Sequence, residues 1–235
     1  MHLGKNNPKY SYTLNKTILN ETFSEKDLGV FVDPLLNFEN HIFTTVKKAR
    51  KMSGLIIRTI SYKSKEVMIP LFKSLIRPIL EYGNPVWCPY LRKNIDLVES
   101  VQRHYTKCIV GFKNFSYVDR MKSLKIPSLE FRRLRGDLIE AYKICNNIYD
   151  PLTTSNLFVF NSYNRTCSNN CLKLTKCSTK RSQFQHFFTN RIINLWNDLP
   201  EHVARAKSTN CFKNSIDQIF KEYMFSTNLQ LNYQH

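Results

Sequence analysis

Closely spaced lysine and arginine are the side chains of this sequence best placed to do chemistry, and the chemistry they suit is gripping a polyanion. Between Val46 and Arg135 there are twenty Lys and Arg against six Asp and Glu, so this stretch carries +14 of the chain's formal +17. Solubility needs only a few net charges; a surplus this large draws phosphate backbones by Coulomb attraction and counterion release. Any single lysine here is better read as a solvated helix surface, and it is the cluster that points to nucleic acid. Lys47, Lys48, Lys51 and Arg58 share the polar side of one helical stretch, and Arg77 precedes a proline. Arg103 and Lys107 sit on another helix, while Arg132, Arg133 and Arg135 crowd into four residues. Those last three leave a helix in successive directions, so a division between phosphate contacts and salt bridges is expected of them. Tyr82, Trp87, Tyr90, Tyr105, Phe112, Phe115 and Tyr117 are interleaved with these cations. Such rings can stack on unpaired bases, but their commoner use is packing helices together.

Other chemistries find little support. Two-metal nucleotidyl transfer needs carboxylates brought close together, and the chain has no Asp-Asp, Asp-x-Asp or Asp-Glu pair. No glycine-rich phosphate cradle and no Gly-x-Ser-x-Gly elbow is present. His104 lies between Arg103 and Tyr105 with no carboxylate within a turn, which suits a surface or phosphate-contacting role. Cys167, Cys171, Cys177 and His186 fall in one irregular stretch. Cys167 and Cys171 have the spacing of a zinc pair, but Cys177 and His186 are poorly spaced for a compact knuckle. Unliganded thiols are therefore expected, and no catalytic residue, metal site or cofactor is assigned.

Composition bounds the rest. In a chain of 235 residues, 42% hydrophobic and 13% aromatic residues describe a folded protein with a sizeable core. No apolar run approaches the ~20 residues that span a bilayer, which argues against a membrane partner. The Met1-His-Leu-Gly-Lys start lacks the apolar centre of a signal peptide, and seven thinly spread cysteines read as reduced thiols of an intracellular protein.

Period and punctuation predict a mainly α fold. A small N-terminal antiparallel β element comes first, then a helical bundle and a short helical C-terminal region. Tyr10–Leu14, Thr17–Phe23 and Leu28–Val32 read as short strands, the last ended by Asp33-Pro34. From Asn37, a plausible N-cap, Phe38, Ile42, Val46, Ala49, Ser53, Ile56 and Ile60 recur at helical steps. Ser64 can cap a second helix that Pro70 and Pro78 should kink or end. A third helix runs from about Asn94 to Val110 and sets Glu99 and Arg103 one turn apart, with Gly111 as its stop. A short helix over Tyr117–Leu124 precedes a long one capped by Ser128, with Leu134, Leu138, Ala141, Cys145 and Ile148 inward. The chain thus divides into a β element at 1–35, a basic helical region at 36–149, an irregular linker at 150–186 and C-terminal helices at 187–235.

Four runs carry a resemblance. They are Lys26-Asp-Leu-Gly-Val30, the stretch LFKSLIRPILEYGNPVWCPY from Leu71 to Tyr90, Leu97-Val-Glu-Ser-Val-Gln-Arg-His-Tyr105, and Leu195-Trp-Asn-Asp-Leu-Pro200. In this order and at about this spacing they resemble the part of non-LTR retrotransposon polyproteins (LINE type, jockey- or CR1-like) that follows the reverse transcriptase palm. The resemblance covers nearly the whole chain. It implies that residues 1–35 correspond to the primer-grip end of the palm, and that the helices to about Tyr149 correspond to a thumb. By that analogy the thumb follows the backbone of a template–primer duplex. The paired aspartates of the family are absent, so the resemblance implies a non-catalytic fragment that begins just after them. Magnesium would belong to the missing palm. The implied partners are RNA, DNA or an RNA–DNA hybrid, together with a separate palm-containing chain. The alternative is a degenerate open reading frame, or an interaction module with no retained activity.

Overall fold

The computed structural model describes residues 1–4, 6–161, 172–178, 182–227 and 229. The architecture is mainly helical, with two small antiparallel hairpins at the N-terminus. Strand β1 (Thr13–Leu14) pairs with β2 (Thr17–Ile18), and β3 (Glu25–Asp27) pairs with β4 (Val30–Val32). Both hairpins turn through two residues in the left-handed region, Asn15 and Lys16 in the first, Leu28 and Gly29 in the second. That geometry matches the right-handed twist of the flanking strands. The run expected as one strand, Leu28–Val32, is therefore a turn plus a strand. Its partner is the wholly exposed Glu25–Asp27, which hydropathy cannot reveal. The second hairpin is held to the helical body by Tyr82, whose hydroxyl donates to the Leu28 carbonyl at 2.8 Å, and by the buried Val30.

Helix α1 (Glu39–Thr59) buries Ile42, Val46, Ala49, Ser53 and Ile56, the expected apolar stripe. Its cap is not Asn37. The Asp33 carboxylate accepts from the backbone N–H groups of Leu35, Asn37 and Phe38, and Phe38 itself turns through the left-handed region. Helix α2 (Lys65–Leu71) follows Ser64 as expected and keeps Pro70 inside. The chain then widens into a π-helical segment (Phe72–Ile76) before α3 (Arg77–Glu81), where Pro78 sits at the start of a turn. A proline lacks the N–H that would close the α-helical bond behind it, and the wider π turn lets the helix continue without that bond.

A one-turn helix α4 (Asn84–Trp87) leads into α5 (Arg92–Lys107). Helix α6 (Tyr117–Leu124) is capped by Ser116, and α7 (Leu129–Cys145) by Ser128, whose hydroxyl accepts from Phe131 N–H. Ile148, expected inward, lies beyond the end of α7 and is exposed. The remaining helices are short until the last: α8 (Pro151–Thr154), α9 (Ser182–Gln185), α10 (Phe188–Arg191), α11 (Ile193–Asn197), α12 (Glu201–Ala204) and α13 (Thr209–Ile219).

Two apolar cores result. The first gathers Val30, the inner faces of α1, α2, the π segment and α5, Trp87, and Leu129 at the start of α7. The second is built on the rest of α7, from Phe131 onward, against Phe188, Trp196, Leu199, Phe212 and Ile216. Helix α7 is thus the member shared by both. The interval read as a linker contributes to the second core: Phe158 and Leu174 are buried, and Phe160 bridges Leu174.

Trp196-Asn197 explains part of that packing. Trp196 is buried and donates its indole N–H to the Leu172 carbonyl. The Asn197 amide exchanges two hydrogen bonds with the backbone of Leu174. The Leu195–Pro200 run is therefore a structural clamp.

Candidate nucleic-acid interface

Helices α1 and α5 lie side by side and run in the same sense. Glu39 pairs with Lys93 near their N-termini, and Arg50 donates to the Ser100 hydroxyl at 2.9 Å further along. Small residues occupy the seam. Ser53, Gly54, Ser100 and Val101 line a groove of about 370 Å³ whose rim is Arg50 and His104. A Cβ built on Gly54 would meet nothing within 4 Å, so the missing side chain helps to keep this groove open. The Ser53 hydroxyl is buried there without a hydrogen-bond partner.

Outside this groove stands the cationic ridge of α1. At 3.6 residues per turn, Lys47, Lys51 and Arg58 fall within about 40° of one another around the helix. All three are exposed, as is Lys107 at the matching end of α5. Among the described residues none of these four takes part in an ion pair. Their charge is uncommitted among the described residues. Phe43, one turn before Lys47, and Tyr62, just past the end of α1, are largely exposed, at 61% and 71%.

The other expected site residues lie elsewhere. Lys48, also exposed, lies a step around α1 from the ridge, and the pKa of His41 is lowered by burial and then by the charge of Lys48. Arg103 stacks over the Tyr117 ring at 5.0 Å, with Arg120 over the same ring at 5.5 Å. Arg77 is half-buried, and its pKa is lowered by burial and by the neighbouring Arg132. Arg132 forms a two-bond pair with Glu81, and Arg135 a two-bond pair with Asp217 at 2.6 and 2.8 Å. Arg133 is buried. Of the arginine triplet, then, two make salt bridges and the third is internal, so the triplet presents no basic patch to solvent.

Arg50 and His104 line one groove, and the sequence reading did not place them together. Their only signal was the pairing of small residues, Ser53-Gly54 with Ser100, one helical turn from Arg50 and His104 respectively.

Glu99 also departs from its expected partner. It does not pair with Arg103 but is fully buried, accepting from the Tyr117 hydroxyl at 2.5 Å and from the backbone N–H groups of Leu129 and Glu130 at 3.2 and 3.3 Å. Those N–H groups belong to the first turn of α7, where no intrahelical partner exists. The carboxylate thus satisfies two otherwise orphaned donors and faces the positive end of the helix dipole. Of the interleaved aromatics, Trp87 and Tyr105 are fully buried, Tyr90 stacks on His186 at 4.3 Å, and Tyr82 is exposed.

Among the described residues no three His, Cys, Asp or Glu side chains come together as a metal site. Cys167 and Cys171 lie outside the described residues. Cys177 is exposed and His186 is occupied with Tyr90. Within the same residues, no helix is long and apolar enough to cross a membrane.

No family model matches the chain, and no solved structure does. An uncharacterized protein of Caenorhabditis elegans is 26% identical over 126 residues, which is 52% of this chain and 64% of the relative. The match spans less than two thirds of that relative's length.

Proposed function

We propose that the chain binds nucleic acid, as RNA, DNA or an RNA–DNA hybrid, through the α1–α5 face, and that it does so as a non-catalytic, thumb-like part of a LINE-type reverse transcriptase. The observation that carries the binding claim is the row Lys47, Lys51, Arg58 with Lys107 beside it, four exposed cations without a carboxylate partner among the described residues. Cations presented this way contact phosphates and give affinity without reading sequence. The groove beside them offers Arg50 and His104 at close range. The reverse transcriptase setting rests on the resemblance of the Leu71–Tyr90 and Leu97–Tyr105 runs to that family.

A partner containing the palm fits the N-terminal hairpins, where Tyr10, Tyr12, Leu14, Ile18, Phe23 and Leu28 are all more than half exposed. Side chains of this kind in one small β element are what an intramolecular or intermolecular neighbour would cover.

The test is fluorescence anisotropy of a labelled RNA–DNA hybrid between 50 and 200 mM salt. Four phosphate contacts give a log–log slope of roughly −3.6, so affinity should fall by about 150-fold over that range. Duplexes of unrelated sequence should bind alike. Affinity indifferent to salt would contradict the proposal.

A further inference from the structure

A second site lies away from the basic ridge, in a cleft of about 220 Å³ between the start of α5, the face of α7 and the residues around His186 and Arg191. Three guanidinium groups meet two carboxylates there: Arg92, Arg133 and Arg191 against Glu130 and Asp137.

Two of the three cations are matched. Arg191 donates to both oxygens of Asp137 and to the carbonyls of His186 and Pro85. Arg92 bonds Asp96 and Glu130. Asp137 also accepts from the Asn84 amide, so its oxygens are already engaged.

Arg133 is different. It is only 4% exposed, and neither of its terminal nitrogens has a hydrogen-bond partner. An arginine cannot escape burial by losing its proton. The charges of Glu130 and Asp137 lie within reach of Arg133, but those carboxylates are hydrogen-bonded to Arg92 and Arg191, so the donors of the Arg133 fork are left unsatisfied, which is unfavourable for a buried group. Its planar fork is built to hold two oxygens of one oxyanion. The cleft is smaller than the usual range for drug-sized ligands, which favours a compact anion over one carrying a base or a long chain.

We infer that this cleft is a binding site for a small oxyanion, a phosphoryl or carboxylate group, held by the two terminal nitrogens of Arg133. Anion binding therefore requires the Arg133 side chain to move, because both terminal nitrogens are buried as it stands. Tyr90, stacked on His186, forms part of the lining. The site does not depend on the ridge: none of Lys47, Lys51, Arg58 or Lys107 lines it.

The experiment titrates inorganic phosphate, and in a parallel arm acetate, into the full chain at constant ionic strength set with chloride. Thermal unfolding and the ³¹P linewidth of phosphate are the readouts. The expected result is an unfolding temperature that rises with one of the two anions beyond the chloride control, and the arm that responds identifies the group. In the responding arm Arg133→Met should weaken binding at least tenfold. Arg133→Lys, which keeps the charge without the fork, should retain part of the response and guards against a folding defect in the first variant. Neither variant should change the salt slope of nucleic-acid binding. An unfolding temperature that follows ionic strength alone in both arms, or an anion response that survives intact in Arg133→Met, would overturn the inference.

Discussion

Replacing Glu99 by Gln changes one oxygen for an amide nitrogen at constant volume, and the surroundings fix what that costs. The carboxylate is fully buried and accepts three hydrogen bonds, from Tyr117, Leu129 and Glu130. The remaining carbonyl oxygen of Gln can keep the Tyr117 and Leu129 donors. The new NH₂ then faces the N–H of Glu130, a donor against a donor. One charge-assisted bond is lost, worth about 1.5–3 kcal/mol. The interaction with the α7 dipole disappears as well, worth up to ~2 kcal/mol in a partly buried setting. Relief of the desolvation of a buried charge offsets part of this. The net expectation is a loss of about 2–4 kcal/mol, a large fraction of the stability of an ordinary domain. Urea unfolding followed by tryptophan fluorescence is the assay. It reports on both cores, since Trp87 lies in the first and Trp196 in the second. A loss below about 1 kcal/mol would refute the claim that Glu99 ties α5 to the start of α7.

Three further outcomes follow from single residues. Gly29 sits at φ 89°, and a Cβ there would stand 3.3 Å from the Tyr82 ring. Gly29→Ala should cost about 1–2 kcal/mol in urea unfolding, and an unchanged midpoint would remove the strain argument. Phe212 is fully buried and stacked 4.4 Å from Tyr142. Phe212→Ala should cost about 3–5 kcal/mol by the same assay, whereas a loss under 1 kcal/mol would mean the second core is not packed around it.

The third outcome concerns pH. His41 accepts the Phe31 N–H through Nδ1 at 3.2 Å, and its pKa is lowered, first by burial and then by Lys48. A base whose folded pKa is depressed stabilises the fold fully above its unfolded value of about 6.5 and loses that contribution as pH falls through the folded value. The urea midpoint should therefore hold between pH 7 and 8 and decline below 6.5. His41→Gln should flatten part of that decline. His186, held down by burial and by Arg191, contributes in the same direction. A decline identical in the variant would place the effect elsewhere.

Local chemistry made much of the helical architecture legible. Ser64 and Ser128 mark true helix starts, Tyr117–Leu124 is a helix at those bounds, and the apolar stripe of α1 is the buried one. These signals depend on residues within a turn or two of one another. What escaped depends on distance along the chain. Strand β3 is exposed throughout, so only its partner and the Leu28-Gly29 turn define it. The position that opens α1 is Phe38 and not Asn37, and the turn before it is held by the Asp33 carboxylate, five residues upstream of Phe38.

The site was legible as charge and illegible as geometry. Lys47, Lys51 and Arg58 share a face by helical period alone. Whether Arg132 and Arg135 face solvent is decided by Glu81 and Asp217, 51 and 82 residues away. The placing of Arg50 and His104 on one groove likewise requires the parallel packing of α1 on α5, which no spacing within either helix encodes.

The claim that the α1–α5 face grips a phosphate backbone is tested most directly by moving charge on and off it. Lys47→Gln, Lys51→Gln and Arg58→Gln together remove three of the four uncommitted cations from the face. A matched triple, Lys207→Gln, Lys213→Gln and Lys221→Gln, removes the same charge from the C-terminal region. Anisotropy against an RNA–DNA hybrid across 50–200 mM salt should show the ridge triple losing about 2.7 units of log–log slope, leaving a value near −0.9, while the control triple stays near −3.6. Equal slopes for the two triples would contradict the account, because the binding would then follow total charge and not the ridge of α1.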